Sequence, residues 1–208
     1  MAEEAERERQ SRVSRSGRKW EEYVRLYLEE KLKCDVEVLR GEEKAVKERS
    51  EILWKLLSAP IRSTIKDKVW GDIDLIAVRG EIPVAIISCK ESLHARLTET
   101  LFWSVLFRAS SHIKVVLATP DRGYKDRKGN WRSEWGTPEN PSQNRLLAET
   151  YLDGVYVENV ESFSEARKQG KSTATGGIVR PLSELPDDLC RWAENCKFVY
   201  IRKSEESE

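Results

Sequence analysis

Histidine and methionine are nearly absent from this chain, at two and one residues. His94 and His112 are too few and too separated for a zinc centre; both read better as surface or capping histidines. The four cysteines, Cys34, Cys89, Cys190 and Cys196, contain no CxxC pair. Neither a zinc ribbon nor a disulfide framework is therefore expected, and free thiols in a reducing cytoplasm are. No apolar run approaches the roughly 18 residues of a membrane-spanning helix, and no secretory leader is recognisable, so neither secretion nor a membrane partner is expected. Net charge is lacking too, because 36 Lys+Arg balance 36 Asp+Glu. That excludes a globally basic nucleic-acid binder. It leaves a local basic groove open, since counterion release depends on the charges that meet phosphate and not on the total.

What is present is charge of both signs, at 35% of residues, and seven tryptophans that each need a core site or a stacking surface. Such richness in Glu, Lys and Arg is compatible with a thermophilic source. The 208 residues fit one domain with a sizeable core. Residues 1–15 read as a polar N-terminal segment, 16–157 as the core and 158–208 as a C-terminal extension.

Apolar spacing of three and four from Trp20 to Leu32 predicts an amphipathic helix over 18–33. A short strand follows around Val36–Leu39, then a helix over 42–58 stopped by Ala59-Pro60. Residues 73–78 and 84–90 read as two apolar strands joined by the turn Arg79-Gly80-Glu81, a β-hairpin. A helix is expected over about 92–108, a buried strand over 114–119 and a long loop over 121–142. Beyond it come a helix near 143–150, a strand at 154–157, a helix at 161–170, a flexible turn at 171–177, a helix at 185–196 and an edge strand at 198–201. This order specifies an α/β fold with a mixed central sheet flanked by helices.

Two residues stand out. Asp74 interrupts the first strand of the hairpin and Lys90 ends the second, each a charge set in strongly apolar surroundings. Burying a lone charge costs several kcal/mol in order of magnitude unless it is paired or binds metal. Two such costs on adjacent strands point to a shared site at one sheet end. A structural Asp–Lys ion pair is the plainer explanation. The chemical one is an acid that holds a divalent cation beside an ammonium that orients or deprotonates water and offsets phosphate charge.

The segments Gly71-Asp72-Ile73-Asp74-Leu75-Ile76 and Val84-Ala85-Ile86-Ile87-Ser88-Cys89-Lys90 resemble the active-site hairpin of the PD-(D/E)xK nucleases. Ser88-Cys89-Lys90-Glu91-Ser92-Leu93 with Arg96 resembles a stretch found in several restriction endonucleases of that superfamily. Gly17-Arg18-Lys19-Trp20-Glu21 resembles their first-helix pattern, and residues 146–157 their late helix and strand. The likeness spans about residues 16–157. It implies a restriction-endonuclease-like core, a type II restriction endonuclease, and Mg²⁺-dependent, sequence-specific hydrolysis of double-stranded DNA. Asp74 and Lys90 take the family's acid and lysine positions, and the backbone carbonyl of Cys89 would join the metal. Asp72, two residues before Asp74, is either a second ligand or a rim carboxylate.

Ser88 stands where the family has an acid, and a hydroxyl cannot supply that charge. Glu21 on the first helix and Glu99 on the helix after Lys90 are the candidates to replace it, Glu21 foremost. For DNA contact the candidates are Arg18 and Lys19 at the first helix, Arg96, and Lys125, Lys128, Trp131, Arg132 and Trp135 in the long loop, where basic and aromatic groups interleave. A charged, solvated loop is the plainer alternative there. A homodimer is expected, because two-fold symmetry matches a palindromic site. Two further functions compete: a repair or junction-resolving nuclease of the same fold, and a catalytically inactive DNA-binding module, to which Ser88 lends weight.

Overall fold

The structure, a computed structural model, describes residues 2–60, 68–93, 97–110, 112–137, 140–158 and 178–205. Helix α1 (Ala2–Lys31) leads into strand β1 (Glu37–Arg40) and two short helices, α2 (Glu43–Arg49) and α3 (Glu51–Leu57). A small ribbon of β2 (Ser58–Pro60) and β3 (Lys68–Trp70) precedes the central hairpin, β4 (Leu75–Arg79) and β5 (Ile82–Cys89). Then come α4 (Leu97–Ser110), β6 (Lys114–Thr119) and a two-residue-stranded hairpin, β7 (Tyr124–Lys125) and β8 (Trp131–Arg132). Helix α5 (Gln143–Tyr151), β9 (Gly154–Val157), β10 (Val179–Pro181) and, after a short 3₁₀ turn, α6 (Leu185–Glu205) follow.

The main sheet has six strands in the order β1-β4-β5-β6-β9-β10. Strand β4 runs antiparallel to both its neighbours, β1 and β5, and β5, β6, β9 and β10 run parallel. Alternation along the strands divides the apolar side chains between two layers. Ile76, Val78, Ile86, Val115 and Leu117 face α2–α5 through Val46, Leu53, Leu97, Leu101 and Phe107. Leu75, Ala77, Ile87, Val116 and Ala118 face α1 and α6 through Trp20, Val24, Leu28, Leu185 and Leu189. Helices on both faces explain why these strands read as nearly continuous apolar runs. The expected mixed, helix-flanked α/β sheet is therefore the fold observed.

The differences have local causes. The helix expected over 42–58 is broken at Ser50, which is extended (φ −156°, ψ 119°) and caps α3 by accepting from the Leu53 amide at 3.2 Å. Its hydroxyl also donates to Glu81 at 2.6 Å, so a tertiary contact fixes the break. Ser92 and Leu93 are non-helical, so the helix expected from about 92 does not begin there, and α4 is described from Leu97 onward. The edge strand expected at 198–201 lies within α6: the β-branched and aromatic composition that suggests a strand there is overridden by the helix before it. The helix expected at 161–170 and the turn at 171–177 fall outside the described residues.

The free-thiol expectation is corrected. Cys34, just past α1, and Cys190 on α6 form a disulfide, with Cα atoms 5.8 Å apart, whereas Cys89 and Cys196 are free. A separation of 156 residues leaves no pattern in the sequence. The proximity arises only because α1 and α6 share one face of the sheet.

Candidate active site

The register of the central hairpin pairs Leu75 with Ile87. One step further sets Asp74 against Ser88, and two more bring Asp72 and Lys90 together. The Lys90 ammonium lies 2.9 Å from an Asp72 oxygen and 3.1 Å from an Asp74 oxygen. The same Asp74 oxygen accepts the Cys89 amide at 2.6 Å and the Ser88 hydroxyl at 3.4 Å. Asp74 is thus clamped by backbone and side-chain donors. Lys90 is only 7% exposed, against 40% for Asp72, so the ammonium sits beneath the carboxylates with its charge directed at the sheet end.

Burial pulls the Lys90 pKa down, but Asp74 and Asp72 together outweigh it, and the net shift is upward. Lys90 is therefore a cation here. It is suited to orienting water and balancing phosphate charge, and unsuited to removing a proton while these pairs last.

The first helix is locked over the same end. The Trp20 indole donates to the Ala118 carbonyl at 3.1 Å, and the Lys90 amide donates to that carbonyl at 3.0 Å. One carbonyl on β6 therefore fixes both the helix that carries Glu21 and the strand that ends in Lys90. Glu21, beside Trp20, faces the cleft. Desolvation first, and then repulsion by Asp74, raise its pKa above the ordinary carboxylate value, against the pull of Arg40 and Lys90. Glu21 and Asp74 thus sense each other's charge. The backbone at Asp74 is close-packed against the end of β1: a Cβ on Gly41 would come within 1.9 Å of the Ile73 carbonyl oxygen, and the Gly41 amide donates to the Asp74 carbonyl at 2.9 Å. Only glycine permits that approach.

The cleft encloses about 350 Å³ and is lined by Gly17, Arg18, Glu21, Asp72, Asp74, Cys89, Lys90 and Glu99. Both candidates for the missing acid, Glu21 and Glu99, therefore reach the cavity that holds Asp74 and Lys90. Ser88 is buried and shares its hydroxyl with Thr100 on α4 at 3.0 Å. It links β5 to the helix that carries Glu99, and Thr100, unnoticed in the sequence, is its partner. Burial pushes the Cys89 thiol well up, which suits a filler and not a nucleophile.

Among the described residues no three His, Cys, Asp or Glu groups stand together as a ready-made metal cage. A magnesium ion does not require one, because it keeps several waters and is held by one or two carboxylates together with substrate phosphate. The oxygen-only donors, and a Glu21 that stays costly to ionise beside Asp74 despite Arg40 and Lys90, fit such an ion.

Of the residues expected at DNA, Arg18 lines the cleft and is exposed, as is Lys19. Arg96, like His94, lies outside the described residues. The long loop folds into the β7–β8 hairpin with Lys125 and Lys128 exposed. Arg132 is partly buried and paired with Asp126 at 3.2 Å. Trp131 is partly buried, its indole donating to the Arg122 carbonyl at 3.1 Å. Trp135 is corrected: it is fully buried in the core and offers no surface for stacking. The exposed aromatic of the loop is Tyr124, at 58%.

Asp74, just before β4, and Lys90, just after β5, thus share one carboxylate-lined cleft at the sheet end. The chain belongs to the BsaWI restriction endonuclease type 2 family, whose model matches residues 47–175, more than half of its length. It is 39% identical over 111 residues to a Methanocaldococcus jannaschii protein named "Putative type II restriction enzyme MjaVIP". That match takes in 51% of this chain and 44% of the relative, so the chain spans less than half the length of the curated protein it matches. Among solved structures it is similar to a restriction endonuclease PspGI–substrate DNA complex, with a TM-score of 0.41, 14% identity and coverage of 70% of this chain and 58% of that one.

Proposed function

We propose that this protein is a type II site-specific deoxyribonuclease that hydrolyses phosphodiester bonds of double-stranded DNA with Mg²⁺ as cofactor. The observation that carries this reading is the placement of Lys90 against Asp72 and Asp74 in a cleft that also admits Glu21 and Glu99. Family membership gives it its reaction class.

In this reading Asp74, Glu21 and the Cys89 carbonyl hold the metal, with Glu99 as a further acid at the cleft wall. A Mg²⁺ held there would supply Lewis acidity toward the phosphate and the leaving oxygen. The chain's own groups do the remainder. Lys90 orients the attacking water and offsets charge on the phosphoryl oxygens. Ser88 and the Cys89 amide hold Asp74 in one orientation. Arg18 and Lys19 at the cleft rim, with Arg96, Lys125 and Lys128, meet the phosphates and bases of the duplex. The active species is a homodimer acting on a palindromic site, and it works in the cytoplasm, where its substrate is. No helix among the described residues is long and apolar enough to cross a membrane.

Digestion of unmethylated phage DNA, with and without EDTA, tests this. Discrete fragments that vanish with EDTA are expected. Intact DNA under every divalent-metal condition would overturn the assignment, and a smear without discrete bands would remove its sequence specificity.

A further inference from the structure

The β7–β8 hairpin is built with more care than a solvated loop requires. It leaves the sheet directly after β6, the strand whose Ala118 carbonyl accepts the Lys90 amide. At its base Asp121 is fully buried and adopts φ +47°, a left-handed conformation that a non-glycine residue takes only at a cost. Its carboxylate accepts the Ser133 hydroxyl at 2.5 Å and the Glu134 amide at 3.0 Å, tying the start of the hairpin to its end. The next turn is anchored by Trp135, fully buried. Gly123, at φ +64°, lets the Trp131 ring pack where a Cβ would come within 2.4 Å of it. Arg122 forms an ion pair with Glu91, the residue that follows Lys90. At the tip, Asp126 accepts the Lys128 and Asn130 amides, each at 2.9 Å, and closes the turn. Outward from this frame Tyr124, Lys125, Arg127 and Lys128 are all exposed, and among the described residues none of their side chains has a partner within the chain.

A loop that only neutralises phosphate needs no such bracing, because long basic side chains reach phosphate from many backbone positions. A fixed ribbon angle is useful when donors must meet base edges in register, and a two-stranded ribbon fits the major groove. We propose that the β7–β8 hairpin is a sequence-reading element, a braced ribbon that presents Tyr124, Lys125, Arg127 and Lys128 to base edges beside the cut, with Asp121 as the positioning residue that sets its angle. The Arg122–Glu91 pair ties this ribbon to the residue next to Lys90, so a correctly seated ribbon bears directly on the strand end that carries Lys90. The proposal rests on the reading of the chain as a DNA-acting protein.

The test is selection from a randomised duplex library by full-length protein in EDTA, read by sequencing, with cleavage of the selected duplexes in Mg²⁺ followed in parallel. Wild type is expected to enrich a defined sequence. Arg127→Ala and Lys128→Ala, both solvent-side changes, are expected to lower discrimination at one or two positions of that sequence by about tenfold or more. Asp121→Ala should blur the whole pattern while Asp121→Asn, which keeps an acceptor and tolerates the left-handed backbone, largely restores it. A purely structural role would instead lower the melting temperature of both Asp121 variants without altering the preferred sequence. Uniformly weaker binding with an unchanged pattern and a shallower salt slope would reduce the hairpin to a phosphate anchor and overturn the proposal, as would the absence of any enrichment by wild type. Hairpin-dependent enrichment without cleavage in Mg²⁺ would leave the proposal standing and sink the nuclease reading alone.

Discussion

Two of the groups of buried charge among the described residues are built on opposite rules. On the side of the sheet covered by α6, Asp188 is almost completely enclosed and fully answered: it accepts the Tyr156 hydroxyl, pairs with Arg180 at 2.7 Å and pairs with Arg191. One carboxylate meets two guanidiniums and a phenol. At the cleft the balance is reversed. Glu21, Asp72, Asp74 and Glu99 share a cavity with Lys90 and, at the rim, Arg18, and burial together with the nearby Asp74 charge makes Glu21 costlier to ionise. A saturated cluster holds elements together. An undersaturated one favours added positive charge, which a divalent cation would supply under the proposed function.

The sharpest way to break that contrast is Lys90→Ala. Cleavage of a plasmid substrate is expected to fall by at least about 10²–10³-fold, with duplex binding in EDTA retained. Survival of cleavage would demote Lys90 to a structural partner of its two acids. Asp188→Ala is the counterpart. It removes the acceptor that the Tyr156 hydroxyl, Arg180 and Arg191 share and should cost about 2–4 kcal/mol, a drop on the order of 10 °C in melting temperature, while the fraction that stays folded cuts normally. A variant that melts like wild type but cannot cut would reverse the assigned roles.

The Cys34–Cys190 bridge belongs with the saturated side. Cys34→Ser with Cys190→Ser, or reduction, should remove about 2–4 kcal/mol, measured as a lower urea midpoint with little change in slope. An unchanged midpoint would show that the bridge contributes no net stability.

The smallest effect has the most informative sign. Glu21 has a folded-state pKa raised above its unfolded value. Such a group contributes its stability in full below the unfolded pKa and loses it as pH rises through the folded one, so at neutral pH ionised Glu21 is a net cost to the metal-free fold. Glu21→Gln should therefore melt slightly higher than wild type in EDTA at neutral pH, the two should converge below the carboxylate range, and the variant should cut poorly in Mg²⁺. A lower melting temperature in EDTA at neutral pH would mean that Glu21 is a structural carboxylate.

The central hairpin, α1 and the pairing of Asp74 with Lys90 were legible in the sequence because each rests on local pattern: apolar strands, a turn at Gly80, and charges in places where charge is costly. The cleft also gathers both candidates for the acid missing at Ser88, Glu21 and Glu99, which the family resemblance put forward and helical spacing alone did not aim. What escaped rests on tertiary contact. The Ser50 break depends on Glu81, the disulfide on two helices meeting 156 residues apart, and the bond between Ser88 and Thr100 on a strand packing under α4. Trp135 could not be told from Trp131 or Tyr124 by composition, because burial of a loop tryptophan is decided by Asp121 and the turn that returns the chain to the core.

The most direct test of the central claim compares wild type with Asp74→Asn on one unmethylated substrate in Mg²⁺, with duplex binding measured alongside. Asn keeps the shape at the sheet end but removes the charge that the cleft holds in surplus. Discrete fragments from wild type and intact, still-bound DNA from the variant are the predicted outcome; equal cutting by both would contradict a cation-holding role for the Asp74–Lys90 site.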